Sequence, residues 1–244
     1  METMNNYDDL KKKILIVDDE KSISDLLVYN FEKEGYKTIT ASDGEEGVLL
    51  ALTQEPDIIL LDIMLPKIDG LTACKKIRQT LPKIPIIMLS AKGEEIDKIL
   101  GLEIGADDYM TKPFSVRELI ARVKANLRKM DPSEIDVLNN NKGNRVAVGE
   151  IALDLDKFEV EVRGQKVSDL TRREFEVLRY LAQKPGQVIT REDLLEKVWG
   201  YEYYGDIRTV DVTIRRIREK IEKNTSNPKI LITKRGVGYY IESK

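Results

Sequence analysis

The 244-residue chain has no histidine and a single cysteine, Cys74. Without an imidazole it cannot build a histidine-based nucleophile pair, a histidine zinc site or a phosphohistidine of its own. One cysteine cannot close an internal disulfide. In Leu-Thr-Ala-Cys at 71–74 it reads as a small buried hydrophobe on a helix. No apolar run approaches the roughly 20 residues that a membrane span needs. Residues 1–13 carry Asp8, Asp9 and three lysines and lack the apolar core of a secretory signal. These absences point away from a disulfide scaffold and from the membrane, and make the cytoplasm the expected compartment.

What the chain does have is 41% hydrophobic and 34% charged residues, a globular composition with length for two ordinary domains. Charge is unevenly placed. Residues 1–130 hold 19 Lys and Arg against 23 Asp and Glu, whereas residues 207–244 hold 10 against 4. An acidic front and a basic end imply two modules with different partners, the second a polyanion.

In the front half, short apolar runs alternate with helical spacing. Strands are predicted at 13–17, 36–41, 58–61, 84–89 and around Tyr109 and Met110; helices at 22–34, 45–52, 71–80, 95–104 and 117–129. Such alternation implies an α/β doubly wound five-stranded parallel sheet. The run Ile-Ile-Leu-Leu at 58–61, bounded by Pro56 and Pro66, has no polar alternation, as befits a strand covered on both faces. Asp62 therefore leaves the carboxyl end of a strand, the edge where open α/β sheets bind ligands. To the same edge the 13–17 strand delivers Asp18, Asp19 and Glu20, the 84–89 strand Ser90, and the last strand Lys112, followed by Pro113 in an X-Pro bond that can be cis. Clustered carboxylates need a compensating cation, and an all-oxygen donor set favours a hard divalent ion, Mg2+ or Mn2+, over zinc. A metal, an ammonium, a hydroxyl and a carboxylate able to form an acyl phosphate are the parts of a phosphoryl-transfer site.

Val-Asp-Asp-Glu at 17–20, Leu-Asp-Ile-Met-Leu-Pro at 61–66, Leu-Ser-Ala at 89–91 and Gly-Ala-Asp-Asp-Tyr-Met-Thr-Lys-Pro-Phe at 105–114 resemble the signature blocks of the receiver domain of two-component response regulators. The resemblance covers residues 12–130 and implies a flavodoxin-like fold. It implies phosphorylation of Asp62 by a partner sensor histidine kinase, which supplies the missing imidazole. It further implies Mg2+ held by Asp19, Asp62 and the main-chain oxygen of Met64, with Asp18 acting through water. Ser90 and Lys112 would bind the phosphoryl oxygens, and Tyr109 would be the aromatic switch. A homodimer face is implied on the helices predicted at 95–104 and 117–129 and the strand between them, where Lys98, Glu103, Asp107, Asp108, Glu118, Arg122, Lys124 and Lys129 supply mixed charge.

Residues 131–145, rich in Asn with Pro132 and Gly143, lose all apolar period and read as a flexible tether. The expected boundaries are thus a receiver at 10–130, a linker at 131–145 and a second domain at 146–244. Short alternating strands open that domain. Thr171 and Glu174 form a capping-box pattern before a helix ending near Gln183, and Thr190 precedes a helix over 191–199. Between 208 and 223, Val210, Ile214, Ile217 and Ile221 form an apolar stripe, with Arg208, Thr213, Arg215, Arg216, Arg218 and Lys220 largely off it. Arginines at that density suit bidentate contacts to phosphates and guanine. A hairpin over 230–241 with Lys234 and Arg235 at its bend completes an α+β winged helix-turn-helix pattern.

Leu-Thr-Arg-Arg-Glu-Phe at 170–175, Trp199-Gly200, Arg-Thr-Val-Asp-Val at 208–212 and Arg-Gly-Val-Gly-Tyr at 235–239 resemble the output domain of the OmpR/PhoB subfamily, closest in appearance to the WalR-type cell-wall regulators. By that resemblance Arg208, Thr213, Arg215, Arg216 and Arg218 would face promoter DNA from the recognition helix. Thr233, Arg235 and Tyr239 would face it from the wing, Arg191 and Trp199 would touch phosphates, and the loop at 200–206 would meet RNA polymerase. The expected protein is a transcription factor, activated by phosphorylation of Asp62, that dimerises on direct-repeat sites. Two rivals stand beside it. An aspartyl-phosphate phosphohydrolase or phosphotransferase would need a second acid two residues past its nucleophile, where this chain has Met64. The other is a DNA binder indifferent to phosphorylation.

Overall fold

The computed structural model describes residues 11–91, 104–128, 145–200 and 207–243. The chain divides into two compact units, Met1–Leu127 and Arg128–Lys244.

In the first unit β1 (Lys13–Val17), α1 (Lys21–Lys33), β2 (Lys37–Ala41), α2 (Gly44–Gln54), β3 (Ile58–Asp62), α3 (Gly70–Thr80), β4 (Ile86–Ala91), β5 (Asp108–Lys112) and α4 (Val116–Arg128) follow one another. The strands form one sheet in the order β2-β1-β3-β4-β5, every pairing parallel. Covered on both faces, Ile58, Ile59, Leu60 and Leu61 are fully buried, each contributing about 1.5–3 kcal/mol of apolar transfer. Asp43 caps α2 by accepting the Glu46 N–H at 2.9 Å, and Asp69 caps α3 by accepting that of Thr72 at 2.7 Å. Of the helix predicted at 95–104, all but Ile104 lies outside the described residues.

The fourth strand begins two residues later than its apolar run suggests. Pro85 has no N–H to give a ladder. The Ile84 carbonyl accepts from Arg78, and the Ile86 N–H donates to the Asp107 carboxylate at 2.9 Å. Its pairing then runs on through Ser90 and Ala91, opposite Thr111 and Lys112. The Lys112–Pro113 bond is cis.

The second unit opens with a four-stranded antiparallel sheet of β6 (Arg145–Val148), β7 (Ile151–Asp154), β8 (Glu159–Val162) and β9 (Gln165–Val167). Next come α5 (Arg172–Ala182), β10 (Ile189–Thr190), α6 (Arg191–Leu194), α7 (Arg208–Ile221), β11 (Leu231–Lys234) and β12 (Gly238–Ile241). The Thr171–Glu174 capping box is present in both halves. The helix predicted over 191–199 is α-helical only for its first four residues and continues as a π-helical turn, Leu195–Trp199, ended by Gly200 at φ 109°. The hairpin is joined by a third strand, β10, beside β12. Gly238 permits that approach, because a Cβ there would lie 1.9 Å from the Ile189 carbonyl oxygen. Phe175, Leu178 and Leu181 share one core with Val210, Ile214, Ile217 and Ile221, so the apolar stripe of α7 is spent inward. No helix among the described residues is long and apolar enough to cross a membrane.

Candidate functional site

Adjacent strands β1 and β3 bring Asp18 and Asp62 to one sheet edge, and β5 brings Lys112. The Lys112 ammonium donates to Asp62 Oδ2 at 2.6 Å. It also stands 2.8 Å from Asp18 Oδ2 and 3.4 Å from Glu20 Oε1. Asp18 and Asp62 are 2% and 3% exposed. Short backbone bonds orient them: the Glu20 N–H donates to Asp18 Oδ1 at 3.0 Å, and the Met64 N–H to Asp62 Oδ1 at 3.2 Å.

The electrostatics of this pocket are unbalanced. Asp18, Glu20 and Asp62 each offer an oxygen within 4.8 Å of the others, a spacing at which like charges repel by roughly 3–4 kcal/mol in a partly buried site. Among the described residues a single ammonium, that of Lys112, faces them. Burial pushes the Asp18 carboxyl up, outweighing the Lys112 contact and the Glu20 N–H that lower it. Burial works against the Lys112 ammonium, but its bonds to Asp18 and Asp62 prevail and hold it well above the usual lysine range. Lys112 is thus a permanent cation. Asp18 Oδ2 is buried and ion-paired to Lys112 at 2.8 Å.

An all-oxygen set with excess negative charge fits a hard divalent cation such as Mg2+. Glu20 joins this cluster, as its delivery to the same edge implies, although the metal set implied by the family resemblance did not include it. Asp19 is exposed and lies outside the group of three. Ser90 is buried on β4, one residue beyond Leu89, the register partner of Asp62. Tyr109 is buried on β5 opposite Met88, and the Met64 side chain is exposed.

In the second unit the residues expected to face DNA sort into three groups. Arg208 and Arg215 on α7 and Arg235 at the hairpin bend are exposed, Arg215 also pairing with Glu219 at 3.2 Å. Half-buried Arg191 donates to Asp211 at 2.7 Å and to the Tyr239 hydroxyl at 3.0 Å. That hydroxyl in turn donates to Asp211 at 2.5 Å, and burial together with the Asp211 bond pushes it up to about 12. Arg218 donates to Thr233 Oγ1 at 2.7 Å and to the Leu231 carbonyl at 2.8 Å, tying α7 to the hairpin; burial lowers its guanidinium below the usual range. The third group turns inward. Thr213 donates to the Thr209 carbonyl at 2.8 Å, Arg216 pairs with fully buried Glu174 at 2.9 Å, and Trp199 is buried beneath the Arg173 guanidinium, 5.0 Å from its ring.

Two family models match. Residues 14–124 fit the response regulator receiver domain, and residues 164–241 fit the C-terminal domain of transcriptional regulatory proteins. The solved structure of DrrB, a Thermotoga maritima OmpR/PhoB homologue, is 34% identical over 96% of this chain and 100% of its own, with a TM-score of 0.50. The chain belongs to the OmpR/PhoB-type response regulators. Two mutants of RitR are similar as well, each 28% identical over 96% of this chain and 100% of theirs, with TM-scores of 0.75 and 0.76. A response regulator with a DNA-binding output domain is not a catalytic enzyme, which sets aside the phosphohydrolase reading. Its receiver implies a histidine kinase partner, its output domain binds DNA, and its acidic cluster is of the kind that holds Mg2+ in receivers.

Within this response regulator the charged set expected at a dimer face pairs largely inside the unit. Asp107 is buried and accepts from Arg78 at 2.5 Å. Arg122 bonds both Asp108 and Glu118 at 2.7 Å, and Lys124 pairs with Glu34 at 2.5 Å. Lys98, Glu103 and Lys129 lie outside the described residues, as do positions 201–206 of the loop expected to meet polymerase and all of the tether but Arg145.

Proposed function

We propose that Asp62 is the phosphoacceptor and that its modification by a sensor histidine kinase controls binding of the second unit to direct-repeat promoter sites. The observation that carries this reading is the Lys112 ammonium 2.6 Å from Asp62 Oδ2, at the carboxyl edge of a rigid parallel sheet. In the transfer an Asp62 oxygen forms a bond to phosphorus, the P–N bond to the kinase imidazole breaks, and its electron pair leaves on nitrogen. Lys112 faces the charge of the incoming group, and the Ser90 hydroxyl donates to a phosphoryl oxygen. Mg2+, held by Asp18, Asp19, Asp62 and the Met64 main-chain oxygen with Glu20 beside them, would neutralise phosphoryl charge when bound.

Conversion of the Asp62 carboxylate to an acyl phosphate changes what Lys112 and Ser90 bond to, and Tyr109, buried on the strand that carries Lys112, would respond. A coupling of about 1–3 kcal/mol would suffice to favour a dimer whose two recognition helices read repeated half-sites. Exposed Arg208, Arg215 and Arg235 are the DNA contacts best supported by burial. The Trp199-Gly200 and Arg-Thr-Val-Asp-Val blocks support a place near the WalR-type regulators, with RNA polymerase as a further partner.

The test is phosphotransfer from a phosphorylated kinase domain, or from acetyl phosphate, to the wild type and Asp62→Asn. Hydroxylamine-labile incorporation into the wild type alone is expected. Acid-stable label retained by Asp62→Asn would sink the assignment. Selection of bound duplexes from random DNA, with and without phosphorylation, then tests control: equal affinity and stoichiometry in both states would favour a phosphorylation-independent binder.

A further inference from the structure

The loop that leaves Asp62 contains a residue in an unfavourable backbone conformation. Lys67 has φ 66°, the left-handed region that a side chain with a Cβ occupies at a cost. Its Nζ nevertheless reaches Asp43 Oδ2 at 2.6 Å. Asp43 is 7% exposed and at the same time caps α2 through the Glu46 N–H at 2.9 Å. Two further contacts join the same loops. The Gly44 N–H donates to the Pro66 carbonyl at 3.4 Å, and a Cβ on Gly44 would lie 2.2 Å from the Ile68 carbonyl oxygen. Only glycine at 44 allows this approach, so the start of α2 and residues 66–68 are built to touch.

The loop also folds back on the acceptor strand. The Gly70 and Leu65 N–H groups donate to the Ile63 carbonyl at 2.9 and 3.1 Å, and the Met64 N–H to Asp62 Oδ1 at 3.2 Å. Lys67 therefore sits three residues from Met64 and five from Asp62 in a loop that these bonds tie to the acceptor strand.

We propose that the Lys67–Asp43 ion pair is a clasp that positions the loop after Asp62, holding the Met64 main chain and the Asp62 carboxylate in the arrangement that takes the divalent cation. This inference rests on the cation site proposed above. Both clasp residues act through the loop and are positioning residues. Strain at Lys67 is tolerated because the ion pair and the interloop contacts over-determine its conformation. With Lys67 more than half exposed, the pair is screened, and its loss is expected to weaken cation binding by about two- to fivefold rather than to unfold the unit.

The test is titration of the full chain with Mg2+ alone, followed by NMR amide shifts, for the wild type, Lys67→Ala, Lys67→Gly, Lys67→Arg and Asp43→Asn. Hydrogen exchange of the Gly44 and Gly70 amides without metal gives a second, activity-independent readout. Lys67→Ala, Lys67→Gly and Asp43→Asn, which keeps a capping side chain, are each expected to weaken Mg2+ about two- to fivefold and to speed Gly44 exchange. Lys67→Arg is expected to restore wild-type behaviour. Lys67→Gly separates clasp from strain, because glycine relieves φ while removing the ammonium: affinity equal to or above wild type in that variant would overturn the proposal. Wild-type binding with all variants alike would overturn the clasp and leave the cation site standing. Failure of the wild type itself to bind Mg2+ would remove both.

Discussion

The two units treat buried charge in opposite ways. At the edge of the first, two buried carboxylates and a third at the rim face one ammonium among the described residues, a negative excess. In the second, fully buried Glu174 is more than neutralised, by Arg216, by Lys220 at 2.7 Å and by the Thr171 N–H at 2.7 Å. Carboxylates in excess of their cations are a site awaiting a ligand, whereas an acid outnumbered by its cations is a joint between helices. The difference teaches that buried charge alone does not mark function; the acidic residual after pairing does.

The most severe way to break this comparison is to unbalance the joint. Glu174→Ala removes a capping box and leaves two cations without their acid. It is expected to destabilise the second unit by about 3–5 kcal/mol, read from urea unfolding followed through Trp199 fluorescence; a loss under about 1 kcal/mol would contradict the joint. Next in size is Lys112→Ala at the site. Removing the ammonium that faces the transferred group should slow phosphorylation by acetyl phosphate about 10²–10³-fold, with the unit still folded. An unchanged rate would mean that Lys112 serves only the acids around it.

A finer test sets Arg215 against Arg216, neighbours in sequence with opposite burial. Arg215→Ala should weaken binding to a random-sequence duplex and reduce the slope of log affinity against log salt by about 0.9, as for one lost phosphate contact, with stability little changed. Arg216→Ala should lower stability first. Equal salt slopes for the two variants would show that burial does not sort these arginines.

The smallest effect concerns Tyr239. Its hydroxyl is raised from 10.0 to about 12 in the folded state, so the folded form holds this proton more tightly than the unfolded chain does. The associated stability is fully present below pH 10 and is lost as pH rises toward 12. Tyr239→Phe should flatten that portion of the pH–stability curve of the second unit; an unaltered curve would place the titration elsewhere.

Much of this was legible along the chain. Strands β1 and β3 announce themselves because burial on both faces demands unbroken apolar runs, and Asp18 and Asp62 follow directly as the residues that leave those runs. The capping box at Thr171 is a local pattern and appears as such. The start of β4 was misplaced because Ile84 and Pro85 are apolar, and hydropathy does not register that a proline lacks an N–H. The π-helical turn at 195–199 left no sign, since its i→i+5 bonds depend on where Trp199 must pack.

By itself the sequence determined the order of elements and the edge at which Asp18, Asp62, Ser90 and Lys112 emerge, because periodicity is a property of near neighbours. Only the tertiary structure decided which charges are spent. Arg216 looks like its exposed neighbour Arg215 until α5 brings Glu174 to α7, and Lys67 looks like a surface lysine until α2 brings Asp43 to it. Coulomb energy falls with distance in space, and the partners that satisfy each charge lie tens of residues away in the chain.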